Sequence, residues 1–209
     1  MTPQEVAALF TRADGEFLFA RWGRPVVPVV FGVEDAVLPV IKGALEAVCA
    51  LAGHAMAETD PELGVNLMLF YCRDWQDLPQ VPDLGRLIPD LEALVARLEA
   101  QGANQYRIFR FDGAGAIRAC FAFVRMDADL AAVPAEVLAL NQAVQVILMW
   151  SDRAFGPGQA ALAVTERGVI LRPGVAGVIR AAYDPALPGM SRDRALALRI
   201  AARAGVGVQ

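Results

Sequence analysis

An uncharged run from Val137 through Ser151, bounded by Glu136 and Asp152, limits what this chain can fold into more than any other stretch. Fifteen successive residues without a charge have to be covered by the rest of the protein, and their spacing predicts a helix. Val137, Leu140, Val144, Ile147 and Leu148 form one stripe, and Val146 and Trp150 fall on the opposite side. A helix apolar nearly all round has neighbours on several sides. Asn141 and Gln145 stand one turn apart beside the stripe, which puts amides next to a core. The stretch 139–152 therefore reads as the heart of a buried central helix near 134–150.

The other elements follow in order. Thr2-Pro3-Gln4-Glu5 has the form of a capped helix start, predicting a first helix to about Ala13. The β-branched run Pro25–Phe31 carries two prolines and suits an edge strand or a bulge. Val37, Ile41, Ala44, Leu45, Val48 and Ala52 recur at helical spacing opposite Lys42 and Glu46, with Gly53 placed to end that helix. Val65–Cys72 is a continuous apolar run of strand length and the best candidate for the sheet centre. Residues 74–89, rich in aspartate, proline and glycine, read as a long surface loop. A helix is expected over Pro89–Gln101. Strands at 105–111 and 116–126, joined by Asp112-Gly113-Ala114-Gly115, form a hairpin. After the central helix come a loop at Phe155–Gln159, an apolar piece at 161–165, a helix over about 173–183 and a last helix from Ser191. The expected class is α+β, a mixed sheet of four to five strands packed with helices, in one domain over residues 1–209.

Composition narrows the function classes. The net charge is −4, from 19 basic and 23 acidic residues, and the basic residues are scattered apart from Arg192, Arg194, Arg199 and Arg203. Nucleic-acid binding has no support, and that arginine group reads as the solvated face of the last helix. No run reaches the roughly 18 apolar residues of a membrane span. Cys49, Cys72 and Cys120 are odd in number and lie in apolar runs, as buried reduced thiols do. The N-terminus lacks the basic start and apolar core of a secretory signal, which points to a cytoplasmic chain or one already trimmed.

Candidate chemistry is sparse. His54, the only histidine, follows Gly53 with Glu58 and Asp60 close by; one imidazole with nearby carboxylates does not specify a site, and a histidine at a helix end or on the surface is favoured over a base or ligand. A metal would need two or three more converging ligands. Asp74, Asp77 and Asp83 lack the glycine and terminal glutamate of a calcium loop. Asp127 and Asp129 fit a helix start. Phosphate loops, dinucleotide fingerprints, nucleophile elbows and His-Glu-x-x-His are missing.

Several short segments carry a resemblance. Trp22-Gly23-Arg24-Pro25-Val26, Gly53-His54, Val65-Asn66-Leu67-Met68, Ala119-Cys120-Phe121-Ala122 and the tail Tyr183-Asp184-Pro185-Ala186-Leu187-Pro188-Gly189-Met190-Ser191 span most of residues 20–195. Together they resemble a proteobacterial family known as domain of unknown function 2927, several members of which are described as candidate lipoproteins and are often exported. The resemblance implies a zincin-like fold. In that family the central helix usually reads His-Glu-Glu-x-x-Gln, with Asn-Asp further on. This chain has Leu140, Asn141 and Gln142 at His-Glu-Glu, Gln145 at the glutamine and Ser151-Asp152 at Asn-Asp, and its tail is one residue shorter. Zinc hydrolysis needs imidazole on the metal and a carboxylate to take a proton from bound water; Leu140, Asn141 and Gln142 supply neither.

The leading expectation is therefore a non-catalytic binding or interaction module, a pseudoenzyme of that family, without cofactor or metal. Asn141, Gln142, Gln145, Asp152 and His54 are its candidate contact residues for an unidentified ligand or protein partner. A hydrolase centred on His54 and a structural domain that forms homo-oligomers are the alternatives.

Overall fold

The computed structural model describes residues 1–155, 160–166 and 168–205. In chain order the elements are α1 (Pro3–Phe10), β1 (Phe19–Ala20), β2 (Pro28–Phe31), α2 (Leu38–Ala52), β3 (Leu67–Cys72), a 3-10 helix (Trp75–Gln80), α3 (Leu84–Leu87), α4 (Leu91–Ala100), β4 (Gln105–Phe111), β5 (Ile117–Arg125), α5 (Ala128–Ala131), α6 (Ala135–Ile147), β6 (Leu162–Thr165), β7 (Gly168–Leu171), α7 (Pro173–Ala182), β8 (Met190–Ser191) and α8 (Leu196–Gly205). The fold is α+β, built on a mixed four-stranded sheet in the order β2-β3-β5-β4. β2, β3 and β5 are parallel and β4 returns antiparallel to β5. β3 and β5 lie inside the sheet. β2, with Pro28 at its start, takes an edge where a missing N–H costs no ladder bond.

Alternation along the strands supplies both faces of the sheet. Leu67, Leu69 and Tyr71 of β3 and Cys120, Ala122 and Val124 of β5 join the larger core with α2, α6, α7, α8 and α1. Phe70 and Cys72 with Phe121 and Phe123 face the other way, into a second cluster with Leu91, Leu94, Val95 and Leu98 of α4. That second cluster overturns the reading of 74–89 as a surface loop. Trp75, Leu78, Leu84 and Ile88 from this segment are all buried in it, and the Trp75 indole donates to the Ala103 carbonyl at 2.8 Å. Two of its aspartates cap: Asp74 accepts from the Gln76 amide, and Asp77 from the amides of Arg73 and Asp74; Asp83 is exposed and pairs with Arg86.

The central helix is also shorter than its apolar run. α6 stops at Ile147, and Leu148 is extended (φ −135°, ψ 157°) and bridges to Arg21. A helix end leaves four carbonyls without intrahelical donors. Here three of them are taken by aromatic donors: Trp150 Nε1 reaches the Val144 carbonyl at 2.7 Å, Trp22 Nε1 reaches Val146 at 2.8 Å, and the Tyr183 hydroxyl reaches Ile147 at 2.7 Å. Trp150, expected on the helix, lies beyond its end and stacks on Phe10 of α1.

Two terminal boundaries move as well. α1 has the expected capping box but ends at Phe10, after which Thr11 bridges to Phe17. Ser191 belongs to β8, which pairs with β1, and the last helix starts only at Leu196. Of the arginine group, Arg192 and Arg194 are exposed but precede this helix, Arg199 is exposed on it and donates to the Ala186 carbonyl, and Arg203 is half-buried and pairs with Asp184 at 2.7 Å. Of the expected loop at Phe155–Gln159, residues 156–159 lie outside the described residues. Among the described residues no helix is long and apolar enough to cross a membrane.

Two substitutions test this architecture. Tyr183→Phe leaves the Ile147 carbonyl without its donor and the Trp22 amide without its 3.3 Å acceptor. Urea denaturation should show a loss of about 1–3 kcal/mol. Gly32 has φ +79°, and a Cβ there would sit 1.9 Å from the Tyr71 carbonyl oxygen. Gly64 has a similar φ of +70° with open space around it. Gly64→Ala should therefore cost about 1 kcal/mol of backbone strain, and Gly32→Ala measurably more in the same assay.

Candidate functional site

At the carboxyl ends of the three parallel strands a cleft of about 280 Å³ opens between the starts of α2 and α6. Gly32 and Val33 leave β2 there, Tyr71 belongs to β3, and Met126 follows β5. Val37 and Ile41 form one wall, and Ala135, Leu138 and Ala139 the other. This end of a parallel sheet is where diverging connections leave a crevice for a ligand. The lining is apolar apart from two residues. Glu34 is exposed at the mouth, while Tyr71 is buried, and its hydroxyl has no hydrogen-bond partner.

Behind Tyr71 is an inward-facing polar group. Gln105 and Arg107 of β4 alternate onto the same face of the sheet as Tyr71, since Gln105 and Tyr71 both register with Val124, and Arg107 registers with Ala122. The small Ala122 leaves room for the arginine to lie across the sheet. Arg107 Nη2 donates to Gln105 Oε1 at 3.1 Å and to Gln142 Oε1 at 3.0 Å, and Gln142 Nε2 donates to Gln105 Oε1 at 2.8 Å. Gln142 lies one turn along α6 from the cleft wall at Leu138 and Ala139.

This triangle is neutral apart from the guanidinium. Among the described residues no carboxylate lies within ion-pairing distance of Arg107. Arg118 and Arg125 share with it a buried Nε without a partner, yet each has a carboxylate, Glu62 at 3.0 Å and Asp127 at 3.7 Å. Burial pulls the Arg107 guanidinium down to about 10, still charged at neutral pH. Burial also pushes the Tyr71 phenol up to about 12 against the opposing field of Arg107, so Tyr71 remains a donor.

The candidate residues from the sequence fall in different places. Gln142 is buried in the triangle. Asn141 and Gln145 are half-buried, share a long 3.5 Å hydrogen bond and do not line the cleft. Asp152 is exposed and accepts from the Ala13 amide at 3.1 Å, fastening the turn after α1. The His54 ring, half-buried, packs 4.9 Å from the Tyr183 ring, and its Nε2 meets the Arg24 carbonyl at 2.9 Å. A carbonyl can only accept, so Nε2 carries the proton. Burial lowers the imidazole's pKa from its ordinary value.

His54, Glu58 and Asp60 are not gathered into a catalytic group. Glu58 is exposed, and Asp60 is committed elsewhere: it accepts from the amides of Glu62 and Leu63, from Asn66 Nδ2 and from Arg24. Among the described residues no group of three or more His, Cys, Asp or Glu side chains could hold a metal. Cys49, Cys72 and Cys120 are free, buried thiols, and burial raises them to about 11, 11 and 12. Tyr71 was missed as a lining residue, and Arg107 and Gln105 as the partners of Gln142. Period-two alternation in Gln105-Tyr106-Arg107-Ile108-Phe109 was the available signal, because it turns a charge onto the side facing the core.

Asp60 gives a pH test. Burial opposes its ionisation, but the four groups that donate to it prevail and hold the carboxyl at about 2, below its ordinary 3.8. A lowered folded-state value contributes stability above the unfolded value and loses it as pH falls toward the folded one. The stability gap between the wild type and Asp60→Asn should be full at pH 7 and close between pH about 4 and 2, as measured by urea denaturation along a pH series. An unchanging gap would contradict the assignment. Comparison with protein-family models, curated proteins and solved structures finds no match to this chain.

Proposed function

We propose that this protein is a non-catalytic binding module whose small ligand enters the cleft at the carboxyl ends of β2, β3 and β5. The observation that carries this reading is the cleft of about 280 Å³ itself, apolar apart from Glu34 and Tyr71 and placed where three parallel strands end. Ligand sites combine apolar walls with a few placed polar groups. The lining holds no histidine, cysteine or lysine and no paired carboxylates, so it offers recognition without a nucleophile or base pair. Leu140, Asn141 and Gln142, standing where the resembled family reads His-Glu-Glu, support the same conclusion. The chain is then a divergent relative in which the central helix shapes a binding site and has lost its chemistry.

The test is to fill the cleft. Ala135 is exposed on the first turn of α6 and forms part of the wall, so Ala135→Trp places an indole at the opening with little disturbance of the core. Melting temperatures are measured for both proteins with octanoate, octanamide and octylamine, three apolar chains with different heads. At least one should raise the melting temperature of the wild type by several degrees, as ligands that bind only the folded state do, and none should raise that of Ala135→Trp. Indifference of the wild type to all three, or an equal rise in the variant, would overturn the reading.

A further inference from the structure

We propose that the outer edge of β4 takes up an extended acidic peptide of a partner protein as a further strand, with acidic side chains four residues apart meeting Arg97 and Arg110. This surface lies on the opposite face of the sheet from the cleft and is independent of it. β4 is the last strand in the order β2-β3-β5-β4, and hydrogen-bond alternation fixes which of its backbone groups are free. The Arg125 amide bonds the Asn104 carbonyl, whereas the amides of Cys120 and Met126 turn the other way, to Asn66 and Cys72. Bonded pairs alternate in an antiparallel ladder. Tyr106, Ile108 and Arg110 therefore bond β5, and the N–H and C=O of Gln105, Arg107 and Phe109 point outward. Among the described residues no strand or bridge meets that edge.

The two edges of the sheet are unlike. β2 has four residues and begins with Pro28, features that discourage strand addition. β4 has seven residues and no proline, and its register stays regular up to the shift at Arg110/Phe111. Tyr106, Ile108 and Arg110 alternate onto the face that carries α4, and the two elements border a groove of about 550 Å³. An added strand sets every second side chain over such a groove. Arg97 marks one end, where its Nη2 donates to the Tyr106 hydroxyl at 2.9 Å and its guanidinium lies 5.4 Å from that ring. Arg110 marks the other, with Ile108 and Leu94 between them. Both arginines are exposed, and neither has an ion pair among the described residues. Tyr106 and Arg110 are about 13 Å apart along the strand, so the groove reads acid, apolar, acid at alternate positions of its guest. A second copy of this chain fits worse, because pairing about a two-fold axis sets a patch against itself and gathers like charges.

The test titrates isotope-labelled protein with the end-capped heptapeptide Thr-Glu-Thr-Val-Thr-Glu-Thr and follows the backbone amides by NMR. The amides of Gln105, Arg107 and Phe109 should shift and become protected from hydrogen exchange. A peptide with glutamine in place of both glutamates should bind about tenfold more weakly, and one with lysine should not bind. Methylating every backbone nitrogen of the acidic peptide keeps its side chains but removes its donors, and should also weaken it by about tenfold or more. Arg110→Glu, at an exposed position, should reverse the order of the acidic and lysine peptides. No shift with the acidic peptide at about 1 mM, equal binding of the acidic and lysine peptides, or shifts that spare the three β4 amides would each overturn the proposal. Protection of those amides that grows with protein concentration in the absence of peptide would overturn it too, by giving the edge to a second copy.

Discussion

The C-terminal end of α6 is the point on which the remainder of the structure depends. That helix closes without glycine or asparagine at its end, so its last carbonyls need donors from elsewhere. Trp22, Trp150 and Tyr183 provide them from three parts of the chain that are remote in sequence. The need is mutual, since a buried indole N–H or phenol O–H without an acceptor costs about as much as an orphaned carbonyl, ~1–3 kcal/mol. One helix end thereby fastens the segment before β2, the extended stretch after α6 and the tail after α7. The pairings of Phe19 with Ser191 and of Arg21 with Leu148 run alongside these bonds.

Fixing that end also fixes the other. α6 packs along α2 over the face of the sheet, and its first turns form the wall of the cleft at Ala135, Leu138 and Ala139. One turn further on, Gln142 can then reach Arg107 across the sheet at 3.0 Å. On the opposite wall the loop after β2 runs so close to Tyr71 that only a glycine fits at position 32. The cleft is thus bounded by rigid elements, and the position of Tyr71 is set by strand register and backbone contact together.

Strong periodicity was legible in the sequence where one element meets one core. β3, the β4–β5 hairpin and α2 stand within a residue or two of their expected limits, because alternation or helical spacing there follows a single buried face. The failures have particular causes. The segment 74–89 carries Trp75, Leu78, Leu84 and Ile88 at spacings of three, four and six, but its aspartates and prolines masked them, and the cluster they enter comes from the far side of the sheet. The apolar run past Ile147 continues because Leu148 and Trp150 are buried by other elements, so absence of charge marked burial and not helix length. Tyr71 and Arg107 meet only through the register of β3, β5 and β4, which no local pattern contains.

The charges of Asp60 and Arg107 are met in different ways. Asp60 is surrounded by amides, Asn66 and Arg24, so each of its oxygens has donors. A charge satisfied to that degree holds the turn after α2 to the start of β2 and has no capacity left for a ligand. Arg107 has donors to spare, one of them buried without an acceptor, and no anion near it among the described residues. The fold thus uses the Asp60 charge to hold a turn and leaves part of the Arg107 guanidinium unmet by protein acceptors.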